Sequence, residues 1–292
     1  MSPARYGCAS IGCSMLRQAR QYLPLFLATG LLAACAAQPS RVQTAAALDA
    51  AIAHPARPEA DRARDAWRHP RQTLLFFGLR PDLSVAEIAP GGSGWYTQIL
   101  APLLREQGRF VAAVPPVVVG NAYSEREDKS FRALLASDPA RFDRVDVVEY
   151  TPGGAKPFAA PASLDVVLTF RNVHNWMARG QAEAAFADFY RALKPGGVLG
   201  VVEHRGNALV PQDPKAAKGY VNQAYAVRLI EAAGFRLVGV SEVNANPRDT
   251  KDHPQGVWNL PPTYAGGDKD REKYAAIGES DRFTLKFVKP RK

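Results

Sequence analysis

The stretch that most restricts the fold runs from Val85 to Thr97 and reads V-A-E-I-A-P-G-G-S-G-W-Y-T. Residues 85–89 form a short apolar run with the length of a buried strand, and apolar residues follow helical spacing after residue 95. A glycine-rich turn joins the two. Glycines let the backbone turn sharply and let a ligand approach it closely, and the free N–H groups at a helix start favour a negative group. Together these features predict the first unit of a nucleotide-binding sheet.

The order of the glycines separates this turn from two other nucleotide-binding motifs. It is not G-x-G-x-x-G, and no Lys-Ser/Thr follows it, so neither a dinucleotide fingerprint nor a P-loop fits. A tight turn without a ligand is the alternative interpretation. The segment E-I-A-P-G-G-S-G resembles motif I of the class I S-adenosylmethionine-dependent methyltransferases, in which an acid ends strand one and the turn wraps the amino-acid half of the cofactor. The resemblance implies that S-adenosylmethionine is bound by Glu87, Pro90, Gly91, Gly92, Gly94, Trp95 and Tyr96.

Strands and helices go on alternating after this unit. Strands two to seven are predicted at 108–114, 144–150, 163–170, 198–203, 235–243 and 282–288, and helices at 127–136, 181–193 and 219–233. Such alternation followed by a hairpin predicts one α/β domain. The L-K-P-G-G turn before strand five is also similar to class I methyltransferases. F-F-G-L, R-N-V-H-N-W, E-H-R and G-V-W-N-L-P-P are similar to a little-characterised bacterial group of predicted methyltransferases. The resemblance implies a Rossmann-like, seven-stranded, mostly parallel sheet of order 3-2-1-4-5-7-6, with the last strand antiparallel and helices on both faces.

Polar residues follow strand four, at the sheet edge where ligands of open α/β sheets bind. The run R-N-V-H-N-W begins at Arg171 and resembles the family's motif IV region, which faces the transferred methyl group. His174 and Asn175 are therefore candidates to position or deprotonate a substrate. Capping of the next helix, or loop hydrogen bonding, is their alternative role. Arg171 and Asn172 are assigned to cofactor binding.

Strand five ends in Glu203-His204-Arg205 at the same edge, which makes His204 a second candidate base, with a structural salt bridge as the alternative.

Strand two ends in Val-Pro-Pro, although this family normally has an acid there for the ribose hydroxyls. The five histidines lack metal-ligand spacing, so no metal site is predicted. The long loop 244–265 carries apolar residues and predicts a lid or a substrate wall.

The first 34 residues carry three arginines and no acid around a short apolar run, which is typical of a secretory signal. The sequence L-A-A-C, ending at Cys35, resembles a bacterial lipoprotein cleavage box, in which the cysteine becomes the lipidated first residue. We therefore expect a signal peptide at 1–34, a lipidated Cys35 with a tether at 35–60, and a methyltransferase-like domain at 61–292. The alternative is a cytosolic protein with an apolar tail. Ala36 after the cysteine favours the outer membrane, facing the periplasm, over the inner one.

Cysteine and charge content exclude several classes of function. All three cysteines lie in or at the end of the leader, so the mature chain would have no disulfide, thiolate metal site or cysteine nucleophile. Removing 1–34 takes away three of 37 basic residues and none of 28 acids, which lowers the net charge from +9 to +6. The basic residues are scattered and form no aromatic-interleaved patch, so nucleic-acid binding is not expected.

Two functions are consistent with this sequence. The first is S-adenosylmethionine-dependent methyl transfer to an unknown, small-molecule acceptor, chiefly by positioning and with His174 or His204 as base. The second is a non-catalytic exported binding module on the same scaffold. Two observations favour it: strand two lacks the usual acid, and the leader predicts export although S-adenosylmethionine is made in the cytosol. A hydrolase has less support, since G-x-S-x-G is absent. A cavity filled by side chains, or a Glu87 buried and already paired, would contradict the enzyme assignment.

Overall fold

Seven strands form one mixed sheet in the computed structural model, which describes residues 38–291. The strands are β1 Ser84–Ile88, β2 Arg109–Val114, β3 Val145–Glu149, β4 Leu164–Phe170, β5 Leu193–His204, β6 Arg236–Ser241 and β7 Arg282–Val288. Their order is β3-β2-β1-β4-β5-β7-β6. The first five strands pair in parallel, and β7 runs antiparallel to both β5 and β6. The predicted fold and strand order are therefore confirmed.

Helices cover both faces of this sheet. Within 38–291 they are α1 Arg41–Ile52, α2 Glu59–Arg62, α3 Asp65–Arg68, α4 Pro70–Phe77, α5 Thr97–Leu104, α6 Ala122–Ser137, α7 Pro139–Phe142, α8 Val173–Ala178, α9 Ala182–Ala192, α10 Gln223–Ala232 and α11 Arg271–Ile277, with a 3-10 turn at Gly256–Asn259. Alternate residues of β1 divide between two apolar clusters, because side chains alternate across a strand. Ala86 and Ile88 pack with α8, α9 and α10, whereas Val85 packs with α1, α4 and α5.

The domain begins earlier than the predicted boundary at residue 61. Helix α1 starts after Ser40, whose side chain and that of Gln43 form a capping box. Leu48 of α1 is completely buried, and burial of one such side chain is worth about 1.5–3 kcal/mol. Arg57 is also buried and bonds Asp65 at 2.9 Å. The described part of the predicted tether is thus packed onto the domain. The predicted signal peptide and Cys35 lie outside the described residues.

Two predicted helices begin at other residues, for local reasons. Helix α6 starts five residues before the predicted 127, because the Asn121 side chain accepts the Ser124 N–H and caps it. Helix α10 starts four residues after the predicted 219, since the backbone of Val221 is used in a bridge to Arg205. Among the helices of the described part of the chain, none combines the length and apolar character that crossing a bilayer requires.

Candidate active site

A cavity of about 440 Å³ opens at the carboxyl edge of the parallel strands. Its wall combines the loops after β1, β4 and β5 with groups from α3 and α6 and with residues of the loop 257–263. The predicted site residues found in this wall are Glu87, Pro90, Gly91, Gly92, Trp95, Tyr96, Arg171, Asn172, His174, Asn175 and His204. Gly94 is not among them. It faces α6 instead, where an added Cβ would lie 2.6 Å from a methyl carbon of Leu134.

Glu87 ends β1 as predicted and is only 2% exposed. One carboxylate oxygen accepts the Thr97 hydroxyl at 2.7 Å, while the other has no hydrogen-bond partner within 38–291. Burial raises the pKa of Glu87 from 4.5 to about 7, against the opposing effects of the Thr97 hydrogen bond and of Arg171 and Arg68. Glu87 is therefore buried and paired, one of the outcomes expected to contradict the enzyme assignment. Its pairing is incomplete, however, and its side chain borders an open cavity.

The raised pKa of Glu87 predicts a pH-dependent stability. Below pH 4.5, which is the pKa of Glu87 in the unfolded chain, the carboxyl group is protonated in both the folded and the unfolded protein, and its contribution to the free energy of unfolding is fully present. That contribution is lost as pH rises through about 7, the pKa in the folded protein. Glu87→Gln mimics the protonated form and keeps an acceptor for Thr97. We expect the variant to match the wild type near pH 4.5 and to exceed its free energy of unfolding by roughly 3 kcal/mol at pH 8.5. Urea unfolding across pH measures this. A pH-independent difference, or the same behaviour in the exposed control Glu183→Gln, would contradict it.

The glycine turn after β1 packs closely against α6. An added Cβ at Gly92 would lie 3.1 Å from the Glu127 backbone, a tighter contact than most Cβ atoms make, so glycine favours this approach. The Gly92 N–H donates to the Glu127 carboxylate at 2.8 Å, and Glu127 lines the cavity. An acid is thus present beside the turn although β2 ends without one. Glu127 lies thirteen residues after β2 ends, and only the path of α6 returns it to the turn.

Several predicted cofactor contacts hold the walls of the cavity together. The Tyr96 and Phe170 rings stack with centroids 3.5 Å apart, which joins the start of α5 to the end of β4. The Asn172 amide donates to the Ile88 carbonyl at 2.9 Å and so joins the ends of β1 and β4 directly. The Trp95 indole N–H donates to the Asp61 carbonyl at 2.9 Å. These side chains therefore give the cavity a rigid shape in addition to lining it.

His174 and Glu203 form a buried hydrogen-bonded pair. His174 Nδ1 lies 3.0 Å from a carboxylate oxygen of Glu203, which is fully buried and also accepts the backbone N–H groups of His174 and His204. A carboxylate at Nδ1 fixes the proton there and leaves Nε2 with its lone pair. His174 lines the cavity. The geometry is therefore that of an oriented general base. Sequence reasoning listed the histidine but not its carboxylate partner.

His204 has a different environment at the same wall. Its Nδ1 lies within hydrogen-bond distance of the Ser280 hydroxyl. Burial, together with the neighbouring His174, lowers the pKa of His204 well below its usual value, so the ring is neutral at pH 7. The ligand atoms of His174, Glu203 and His204 all lie within 4.8 Å, a grouping that the sequence spacing did not predict. Because the Glu203 oxygens are already used by N–H groups, hydrogen bonding accounts for the cluster.

The segment 279–282, which leads into β7, serves both sides of the site. Its side chains are almost fully buried although all four are polar. Glu279 bonds arginines that line or adjoin the cavity, whereas Ser280 bonds His204. Pairing of β7 with β5, with Arg282 opposite His204, fixes the register of this segment.

Loop 244–265, for which the sequence predicts a lid or a substrate wall, forms the outer wall of the cavity. Val257, Trp258 and the residues 261–263 line the cavity. The Trp258 ring lies 6.1 Å from the His174 ring in an edge-on arrangement. This apolar surface therefore lies beside the His174 ring in the cavity wall.

Comparisons with known proteins agree on the fold. An S-adenosylmethionine-dependent methyltransferase from Aquifex aeolicus is 15% identical, with a TM-score of 0.53 over 78% of this chain and 93% of that one. The cyclase SpnF is 16% identical, with a TM-score of 0.54 over 80% of this chain and 82% of that one. No family model matches the sequence, and no curated protein matches it either. Since one of the two similar structures is named a cyclase, the likeness does not fix the reaction. The chain therefore has the fold found in S-adenosylmethionine-dependent methyltransferases.

Proposed function

We propose that this protein is an S-adenosylmethionine-dependent methyltransferase with a small-molecule acceptor. The observation that carries the proposal is one cavity that holds an oriented base and a cofactor-type turn together. The His174–Glu203 pair and the Glu87 carboxylate both border it, beside the glycine turn that follows β1. Its volume of about 440 Å³ lies within the usual range of small-molecule sites.

The residues present fit the cofactor. The unpartnered oxygen of Glu87 suits the ammonium group of an amino acid, since a buried carboxylate favours a hydrogen-bonded cation. Glu127 is partly buried at the other end of the turn, where its carboxylate can accept ribose hydroxyls. When bound, S-adenosylmethionine supplies an electrophilic methyl group.

The chain's own residues supply positioning and proton transfer. His174 Nε2 accepts the proton of the acceptor, and Glu203 stabilises the imidazolium that results. Because His204 is buried and neutral, it adds no competing positive charge beside His174. Trp258 places an apolar surface beside the base, and the stacked Tyr96 and Phe170 hold the start of α5 against the end of β4. Holding the reactants in line accounts for most of the acceleration in such a site.

Isothermal titration of the mature protein with S-adenosylmethionine and S-adenosylhomocysteine tests the proposal directly. We expect saturable binding of both at micromolar concentration. If no binding heat is measured at millimolar ligand, the methyltransferase proposal is rejected. If an unrelated ligand binds in preference, the protein has the methyltransferase fold but not the proposed function.

The role of Glu127 gives a second measurable expectation. Glu127→Gln should weaken S-adenosylhomocysteine binding about tenfold, because a charged acceptor for hydroxyl groups is worth about 1.5 kcal/mol or more over a neutral one. Asp128→Asn, on the next residue of α6, is the matched control, since Asp128 pairs with Arg132 at 2.9 Å away from the turn. Equal losses in both variants would show that the effect comes from α6 and not from a ribose contact.

We also propose that the protein is exported and anchored by lipid on Cys35, on the outer membrane facing the periplasm. The support is the leader of residues 1–34, with its arginines, apolar run and L-A-A-C box. Mass spectrometry of the N-terminal peptide from membrane fractions tests this. An unmodified Cys35 in a cytosolic fraction would overturn it.

A further inference from the structure

Four arginines surround one carboxylate beside the cavity. Glu279 bonds Arg64 at 2.7 Å, Arg282 at 2.9 Å and Arg68 at 3.2 Å, and its own side chain is almost fully buried. Arg171, at the end of β4, adds a fourth positive charge that acts on the same carboxylate. Although burial raises the pKa of Glu279, Arg68, Arg282, Arg64 and Arg171 together hold it well below its usual value. One permanent negative charge thus faces four positive ones.

Part of the guanidinium hydrogen-bonding capacity is unused. The Nη2 atoms of Arg64 and Arg68 are buried and have no hydrogen-bond partner in the described chain. No side-chain hydrogen bond of Arg171 occurs there either, and its pKa is lowered by burial and by Arg282 and Arg64, against the effect of Glu279. Arg64, Arg68 and Arg171 all line the cavity. A buried donor without a partner is costly, and a buried charge more so, unless a ligand supplies the partner.

The cofactor as a whole does not neutralise this excess of positive charge. S-adenosylmethionine carries a sulfonium, an ammonium and a carboxylate, so its net charge is +1 and its arrival adds to the excess. Glu87, with a pKa of about 7, is ionised only in part at neutral pH. Glu127 lies at the other end of the glycine turn, where it accepts the Gly92 N–H, and is assigned to the ribose hydroxyls. The second substrate is the partner that remains.

We infer that the methyl acceptor is an anion whose carboxylate or phosphate group docks against Arg64, Arg68 and Arg171. This inference rests on the proposed function and names the substrate class of the same site. Guanidinium groups bind both oxyanions through paired, charge-assisted hydrogen bonds. A cationic amine would be repelled by the net positive charge of this arginine group, so the subsite disfavours it as an acceptor. With the anionic end on the arginines, the reacting hydroxyl or amine of the acceptor points to His174.

Thermal unfolding with simple anions tests the subsite without needing turnover. Inorganic phosphate and succinate serve as probes, in buffers matched for ionic strength with sodium chloride and with S-adenosylhomocysteine present or absent. We expect each probe to raise the midpoint of wild-type unfolding, and Arg171→Gln to lower probe affinity at least tenfold. Arg171→Gln breaks no hydrogen bond of the described chain and leaves in place the three arginines that bond Glu279. Arg68→Gln is the second variant, and the exposed Arg62→Gln is the matched control.

A further comparison separates the acceptor from the cofactor's own carboxylate. Methylthioadenosine lacks the amino-acid part of S-adenosylhomocysteine but keeps the nucleoside. If Arg171→Gln weakens only S-adenosylhomocysteine, and anions do not protect the cofactor-loaded wild type, the arginines bind the cofactor and the inference is overturned. The inference is supported if the anions raise the unfolding midpoint of the cofactor-loaded wild type, and if Arg171→Gln and Arg68→Gln both lose this effect. If the anions raise the unfolding midpoint but S-adenosylhomocysteine does not bind, the anion subsite stands and the methyltransferase function is rejected. If the anions raise the midpoint neither with nor without S-adenosylhomocysteine, the anion subsite is rejected.

Discussion

Replacing His174 with alanine is expected to lower kcat for methyl transfer by about 10²–10⁴-fold, while S-adenosylhomocysteine binds as in the wild type. The reason is geometric: Glu203 at 3.0 Å holds the Nδ1 proton, so only Nε2 is free to take a proton from the acceptor. No other described residue combines a lone pair in the cavity with a buried carboxylate behind it. Single-turnover rates together with titration of the cofactor product separate chemistry from binding.

Glu203 acts through His174, so its variant needs a different readout. Glu203→Gln should lower kcat while acceptor KM and S-adenosylhomocysteine binding stay near the wild-type values, because a neutral amide neither fixes the Nδ1 proton of His174 nor stabilises the imidazolium that forms. Far-UV circular dichroism confirms that the variant is folded. His54→Gln, at a turn outside the cavity wall, is the control. A His174→Ala variant that keeps the wild-type rate would assign this pair a structural role only.

Glu279→Gln is expected to cost about 3–5 kcal/mol of the free energy of unfolding, since it leaves four buried or half-buried arginines without their shared carboxylate. Glu106→Gln is the matched control: it also removes a carboxylate paired with arginine, but one whose side chain is 66% exposed, and it should cost less than about 1 kcal/mol. Urea unfolding at pH 7 measures both.

The same substitution predicts a change at acid pH. The folded-state pKa of Glu279 is depressed, so its stabilisation is present above the unfolded value of 4.5 and is lost as pH falls toward the folded value. Wild-type protein should therefore lose stability below about pH 4.5, and the difference between wild type and Glu279→Gln should shrink there. A cost below 1 kcal/mol at pH 7 would mean that the arginines do not depend on this carboxylate.

Local patterns predicted the sheet because each strand and turn contains its own signal. The apolar run before the glycine turn, the β-rich strand four and the L-K-P-G-G segment are all contiguous in sequence, and the strand order followed from the resemblance that they carry. Helix α1 has only a weak signal in the sequence, because it is Ala-rich and packs through few large side chains, Leu48 among them. A helix of this kind is stabilised by tertiary contact more than by its own pattern.

The partners within the site were harder to predict, since they meet only after folding. Arg68 and Glu279 are 211 residues apart in sequence, and His174 and Glu203 are 29 apart. Nothing in the spacing of such residues indicates a contact. Trp258 could be assigned to a wall because apolar residues in a long loop need a surface to cover. Glu127, in contrast, looks like an ordinary acid in the first turns of α6.

The four buried polar residues 279–282 have a consequence for which acceptors the site selects. Glu279 holds the arginines, and the next residue, Ser280, holds the His204 ring beside the base. A single peptide unit separates these two residues, and β7, which begins at Arg282 and pairs with β5, fixes the position of that unit. The distance between the arginines and the imidazole is therefore set by the protein and does not adjust to the length of the acceptor. The segment therefore works as a molecular ruler. Homologous acceptors that differ by one methylene between charged end and nucleophile should be turned over at very unequal rates.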